Sequence, residues 1–209
     1  MPSMRTITSV NSGEVFPFIV SDNWYSPEEE KLIWKELDFY YRPDNLERAA
    51  DFSAKKDGVN LSNSWRIYPD AMFTQKYRHV SSIMSATKKF QDKKFQDFIK
   101  KAMPHGVQFC LSNKDSTLIS YYDDAQEYKT HHDDPQFTVL IWFFKEPKKF
   151  TGGDFIFTQS NVNVKCKHNR MLLFPSYYLH QVTPVHLDKE YRNKGLGRFA
   201  ITHFYWSHS

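Results

Sequence analysis

From Val107 onward the chain offers one short run of β-branched and aromatic residues after another, broken by turn residues, with no intervening helix. Strands are predicted near Val107–Leu111, Thr117–Tyr122, Tyr128–Asp133, Phe137–Phe144, Asp154–Thr158, Val162–Lys165, Arg170–Phe174, His180–Val185 and Arg198–Trp206. Gly152-Gly153, Ser160-Asn161 and His168-Asn169 supply turns between some of them. A long series of strands with no helix between them leaves two architectures, a β-sandwich or a jelly roll. An aromatic share of 17% with only 7 glycines fits wide sheets packed face to face better than a loop-rich scaffold.

The first half is mixed. Phe16–Val20 reads as a short strand, followed by Ser26-Pro27-Glu28-Glu29, a helix start with Ser as N-cap, Pro in the first turn and Glu29 closing a capping box. Ile33, Leu37 and Tyr40 then recur on one face, so this helix is expected to lie on a sheet. A second helical stretch runs over roughly Gln75–Ala102, broken near Lys88–Asp92. Asp51–Ser64 is polar and aperiodic, either a surface loop or a lid. With 209 residues, no repeat and no composition shift, a single domain over 1–209 is expected, with helical support in 1–106 and the β core in 107–209.

Charge and cysteine usage exclude several classes. A net charge of +4 spread along the chain makes nucleic acid an unlikely partner, and a solvated basic surface is the simpler reading. Cys110 and Cys166 are too few for a disulfide framework and are expected as buried free thiols, which fits a reducing compartment. Neither a secretory core at the N-terminus nor a bilayer-length apolar run is present, so a soluble cytoplasmic protein with no membrane contact is expected.

Chemistry concentrates in Tyr128-Lys129-Thr130-His131-His132-Asp133-Asp134. Residues two apart on a strand share a face, so His131 and Asp133 are predicted to point together, and His132 with Asp134 the other way. A third ligand must come from another strand, and His180 stands at the start of one. Two His and one carboxylate on one face leave coordination positions open, as in non-haem iron(II) oxygenases. Alone, His-x-Asp is a common surface pattern. What raises its weight is Arg198, which opens the otherwise apolar strand Gly197-Arg198-Phe199-Ala200-Ile201-Thr202. An unpaired buried guanidinium is costly, and its planar fork suits the carboxylate of a ligand.

Tyr122, Tyr128, His131, Asp133, Gly152-Gly153, His180, Pro184-Val185 and the strand from Gly197 together resemble the prolyl 4-hydroxylase-like branch of the iron(II)/2-oxoglutarate dioxygenases. The resemblance covers roughly Leu118–Trp206 and selects His131 with Asp133 over the alternative register, because Tyr128 stands three residues before His131. It implies a mainly β (α+β) fold, a double-stranded β-helix or jelly roll with N-terminal helices packed on one side. It implies His131, Asp133 and His180 as catalytic iron ligands, and Arg198 as the partner of the distal carboxylate of 2-oxoglutarate, with Tyr122 and Thr202 nearby. Trp142 stands where some relatives carry a Tyr contacting the co-substrate, and its indole N–H or the Tyr122 hydroxyl substitutes for that group. The implied reaction consumes Fe(II)-bound 2-oxoglutarate and O2, with ascorbate admitted as a further cofactor. It hydroxylates a C–H bond of a peptidyl proline, another peptide or a small molecule, releasing succinate and CO2.

Three departures accompany the resemblance. Ala125 replaces a usual Gly, which suggests a turn with no need for positive φ. Arg198 lies farther beyond His180 than the family usually has it, so His186–Gly197 reads as an inserted polar loop and Arg192 becomes a rival anion binder. A nucleic-acid demethylase of the same superfamily and an inactive jelly-roll binding module are the alternatives. The demethylase pattern expects a second Arg six residues after the first, where Phe204 stands, and an inactive module usually shows a replaced ligand.

Overall fold

A computed structural model describes residues 4–11, 14–42, 45–48 and 53–207. Asp51 and Phe52, the start of the polar segment, lie outside the described residues. The chain begins with β1 (Met4–Asn11) and β2 (Glu14–Ser21), which pair as an antiparallel hairpin. Helix α1 (Pro27–Tyr40) follows. Ser26 Oγ accepts from the Glu29 amide while the Glu29 carboxylate accepts from the Ser26 amide, the reciprocal cap expected from the sequence. Ile33, Leu37 and Tyr40 are its buried face.

Strands β3 (Glu47–Arg48), β4 (Lys55–Lys56), β5 (Val59–Asn60) and β6 (Trp65–Ile67) come next. The second helical stretch is segmented: 3-10 turns at Gln75–Val80 and Ala86–Gln91 flank α2 (Ser82–Ser85), and α3 (Lys93–Ala102) starts at Asp92, whose carboxylate caps the Lys94 and Phe95 amides.

The strand predicted at Val107–Leu111 is a helix, α4 (Gly106–Cys110). It turns directly back on α3, so closely that a Cβ on Gly106 would sit 2.1 Å from the Ile99 carbonyl oxygen. Phe109 then packs its ring against Phe95, Phe137 and Tyr205. Five residues of apolar and polar alternation carry either period, and tertiary packing decided between them.

The remaining strands are β7 (Lys114–Tyr122), β8 (Tyr128–His131), β9 (Phe137–Phe143), β10 (Phe150–Gly152), β11 (Phe155–Phe157), β12 (Val162–Val164), β13 (Met171–Pro175), β14 (His180–Val182), β15 (Val185–Leu187) and β16 (Arg198–Trp206). The single strand expected at His180–Val185 is therefore two strands, separated at Thr183-Pro184, where Pro cannot donate to a ladder. A main sheet runs β1-β2-β13-β9-β16-β7-β6-β3, and a smaller one runs β12-β11-β14-β8. The N-terminal part is thus more than helical support, since β2 pairs with β13 and β6 with β7.

Both faces of the main sheet are covered, which explains why β9 is buried at every position. Phe137, Val139, Ile141 and Phe143 face the helices, in one cluster with Ile33, Leu37, Ile83 and Ile99. Leu140 and Trp142 face the small sheet, in a second cluster with Phe155, Phe157, Val164 and Val182. The fold is mixed α+β, with helices on one face of the main sheet. The functional groups lie on the other. Among the described residues no helix is long and apolar enough to cross a membrane.

Candidate active site

The cleft between the two sheets takes side chains from β6, β7, β8, β9, β11, β13, β14 and β16. His131 and His180 are direct cross-strand partners on β8 and β14, which puts their ring centroids 4.3 Å apart. Asp133 joins them by a route the sequence did not specify. β8 ends at His131, so Asp133 lies just past the strand and is held by hydrogen bonds to other elements. The Asp133 amide donates to the Ser176 carbonyl at 3.0 Å, and Thr138 Oγ1 donates to Oδ2 at 2.7 Å. Oδ1 then lies 3.5 Å from His131 Nε2 and Oδ2 lies 3.6 Å from His180 Nε2. One ligand atom from each of the three lies within 4.8 Å of the others, a group able to hold a metal ion.

The hydrogen bonds fix which nitrogen is presented. His131 Nδ1 is 2.8 Å from the Lys129 carbonyl and His180 Nδ1 is 2.7 Å from the Tyr178 carbonyl. A carbonyl only accepts, so both Nδ1 atoms carry the proton and both Nε2 lone pairs point into the cleft. Aromatic faces hold the rings: Tyr128 stacks on His131 at 3.5 Å and 15°, and Phe155 stacks on His180 at 4.9 Å and 16°. Burial pushes the His180 pKa down to about 4, assisted by His131 and opposed by Asp133, so the imidazole is neutral at physiological pH. Burial opposes the Asp133 charge, yet the two imidazoles and the Thr138 hydroxyl hold its pKa down to about 2. His180 is therefore a neutral imidazole and Asp133 a carboxylate, the protonation states that a divalent metal takes.

Arg198 is fully buried, and its Nε, Nη1 and Nη2 have no hydrogen-bond partner. Its guanidinium carbon lies 4.8 Å from the Tyr122 ring and 5.8 Å from the Trp142 ring. On β16, Arg198, Ala200, Thr202 and Phe204 all line the cleft, as strand alternation requires. Tyr122, the direct partner of Arg198 on β7, lines it too. Trp142 is not at the cleft wall; it lies beneath the guanidinium, with its own Nε1–H unpartnered. Gly153 makes room for this arrangement, because a Cβ there would sit 2.8 Å from Arg198 Cδ. Arg192 is elsewhere: half-exposed, it pairs with Asp124 at 3.0 Å and does not line the cleft. The insertion that carries it is docked rather than free, through the β10–β15 pairing and the Asn193 amide on Asp123.

Ala125 overturns the reading of its turn. Its φ is +60°, a left-handed conformation that an L side chain occupies at a cost, held by the Ala125 amide on the Val185 carbonyl. The missing glycine therefore does not mean a relaxed turn. Cys166 is buried and Cys110 partly buried, both as free thiols.

Arg66 is the cleft residue that the sequence reading passed over. It is 4% exposed, lies 4.6 Å over the Tyr128 ring, and lines the same cleft as Arg198. The signal was present: Trp65-Arg66-Ile67 is a lone Arg inside an apolar run, the argument that singled out Arg198.

A helix-backed main sheet, a small sheet over its other face, and a His-Asp-His cluster between them define the scaffold of a mononuclear metal oxygenase. Residues 117–206 match the family model described as the 2OG-Fe(II) oxygenase superfamily. That stretch runs from β7 to β16, under half of the chain, and contains His131, Asp133 and His180. Among solved structures, a prolyl 4-hydroxylase from Pseudomonas putida is similar over 92% of this chain and 93% of its own, with 13% identity and a TM-score of 0.63. A prolyl 4-hydroxylase from Phytophthora capsici is similar over 91% of this chain and 58% of its own, with 16% identity and a TM-score of 0.57. The viral collagen prolyl hydroxylase of Paramecium bursaria Chlorella virus-1, solved with 2OG, is similar over 90% and 94%, with 14% identity and a TM-score of 0.50. These likenesses are of fold. No curated protein sequence matches the chain.

Proposed function

We propose that the protein hydroxylates a C–H bond of a peptidyl proline or a related substrate, using Fe(II), 2-oxoglutarate and O2. The observation that carries this reading is Arg198, a buried guanidinium with three unpartnered nitrogens in the same cleft as His131, Asp133 and His180. A buried cation without a counter-ion is costly, and a dicarboxylate that reaches from the metal to Arg198 supplies the missing charge. The donor set supports the same assignment: two imidazoles and a carboxylate suit ferrous ion and leave coordination positions open.

In this reading His131 and His180 bind the metal through Nε2 and Asp133 through its carboxylate, which Thr138 orients. Arg198 holds the distal carboxylate of 2-oxoglutarate, with Tyr122 and Thr202 beside it and Trp142 bracing the guanidinium from below. A ferrous ion held there, with 2-oxoglutarate and O2, supplies the oxidising power to convert C–H to C–OH, with succinate and CO2 as the other products. Leu140, Phe155, Phe174 and Val182 form an apolar wall that excludes water from the reacting groups. The two facing sheets, β13-β9-β16-β7 and β12-β11-β14-β8, support a double-stranded β-helix across the single domain.

The test is iron-dependent succinate release with the purified protein, screened against proline-containing peptides, free amino acids and methylated oligonucleotides. Succinate release stimulated by a proline-containing compound is expected, together with its loss in His131→Ala and not in His132→Ala. Stimulation by the oligonucleotides alone would transfer the assignment to the demethylase reading.

A further inference from the structure

The cleft holds two buried guanidinium groups, and 2-oxoglutarate accounts for one. Arg66 pairs in register with Ser120 on β7, and Ser120 pairs with Ala200 on β16, so the three form one row across the main sheet on the cleft side. Arg198 pairs with Tyr122, one two-residue step along and two strands away from Arg66. Strand geometry puts the two α-carbons roughly 12 Å apart. Their side chains therefore enter the cleft from different places. The Arg66 guanidinium lies over Tyr128, whose ring is stacked on His131, which puts Arg66 at the metal end of the cleft.

Among the described residues, neutral groups alone compensate Arg66 for its burial: the ring and hydroxyl of Tyr128, and the Ser64 hydroxyl. Arg66 Nε donates to Ser64 Oγ at 3.4 Å, and Ser64 in turn meets Ser62 Oγ at 2.9 Å. Hydroxyl and ring partners supply hydrogen bonds and a π face but no counter-charge for the guanidinium. Among the described residues no carboxylate lies within ion-pairing distance of it. The carboxylates of the co-substrate are already placed, one toward the metal and the other toward Arg198.

We infer that Arg66 is a specificity-determining residue that binds an anionic group, a carboxylate, on the substrate to be hydroxylated. The inference rests on the reading of the cleft given above. It narrows the substrate class to molecules with a carboxylate close to the reacting C–H bond. Two sources present that chemistry: a free acid, or an acidic residue next to the reacting residue in a peptide. Tyr128 and the Ser62–Ser64 pair are the brace that holds the guanidinium at the cleft wall.

The experiment uses the full chain loaded with zinc and 2-oxoglutarate, so that binding is read without turnover. N-acetylproline is compared with N-acetylprolinamide, which differ only in carboxylate against amide. Acetylated and amidated tripeptides carrying Pro-Asp are compared with Pro-Asn. Calorimetry is expected to show the acid member of at least one pair binding about tenfold tighter or more, as a charge-assisted pair requires. Arg66→Gln is expected to reduce that preference to within about twofold, with Arg66→Lys retaining part of it. Affinity for zinc and 2-oxoglutarate is expected to stay near wild type in both variants, which also reports that they fold. Preference in the first pair identifies a free acid; preference only in the tripeptides identifies an acidic peptide. Equal binding of acid and amide in every pair, absence of binding by every acid probe, or loss of 2-oxoglutarate affinity in Arg66→Gln overturns the inference. A wild-type protein that binds neither metal nor 2-oxoglutarate refutes instead the function proposed above.

Discussion

Replacing Arg198 by Met separates a functional guanidinium from a structural one, because the two roles predict stability changes of opposite sign. With no co-substrate, all three guanidinium nitrogens are buried and unpartnered. What compensates them is the face of Tyr122 at 4.8 Å and of Trp142 at 5.8 Å, each contact worth about 0.5–2 kcal/mol. Against this stands a desolvation cost of several kcal/mol for a buried ion, which a Met of similar length does not carry. Arg198→Met is therefore expected to leave the ligand-free protein at least as stable as wild type by urea unfolding. Binding of 2-oxoglutarate moves the other way. A bidentate charge-assisted pair contributes about 1.5–3 kcal/mol, so its loss weakens 2-oxoglutarate by roughly 10- to 150-fold. Calorimetry on the metal-loaded variant measures this directly, and the metal affinity itself is expected to be unchanged. Wild-type 2-oxoglutarate affinity in Arg198→Met, or the same loss in Arg192→Ala, would refute the reasoning.

Three further outcomes are expected. Thr138→Val removes the hydroxyl that orients Asp133 and is expected to weaken metal binding by about 10- to 100-fold, read by competition with a chelator, while the fold is kept. Ala125→Gly relieves a left-handed alanine at φ +60° and is expected to raise stability by roughly 0.5–1 kcal/mol in chemical unfolding; a loss of stability contradicts the strain. His203 is fully buried, and burial, aided by Arg78, pushes its pKa down to about 3. Protonation therefore favours the unfolded chain: the stability tied to neutral His203 is present above about pH 6.5 and is lost as pH falls toward 3. This group contributes a loss of about 2 kcal/mol between pH 7 and pH 5, and His203→Gln is expected to flatten that part of the profile.

Periodicity and local chemistry made the capping box at Ser26 and Glu29, the buried face of α1, most of the later strands and the parity of Arg198 on β16 legible in the sequence. Each depends on residues close in the chain, where 3.6- or 2-residue spacing decides which way a side chain points. The metal cluster was legible for a different reason: the order Tyr128, His131, Asp133, His180 is itself a pattern, whatever the backbone does between its members. What only the tertiary structure decided depends on partners distant in sequence. Residues 106–110 are helical because α3 is there to receive them. Asp133 lies just past the end of β8 and is held at the two imidazoles by the Ser176 carbonyl and by Thr138 on β9. Arg192 was a plausible anion binder until Asp124 engaged it, and Arg66 was one residue in an unassigned segment until β6 paired with β7. Short-range spacing sets the direction of a side chain on its own strand; which side chains then share a cleft is set by strand order and register, and these are fixed only when the two sheets close over their common core.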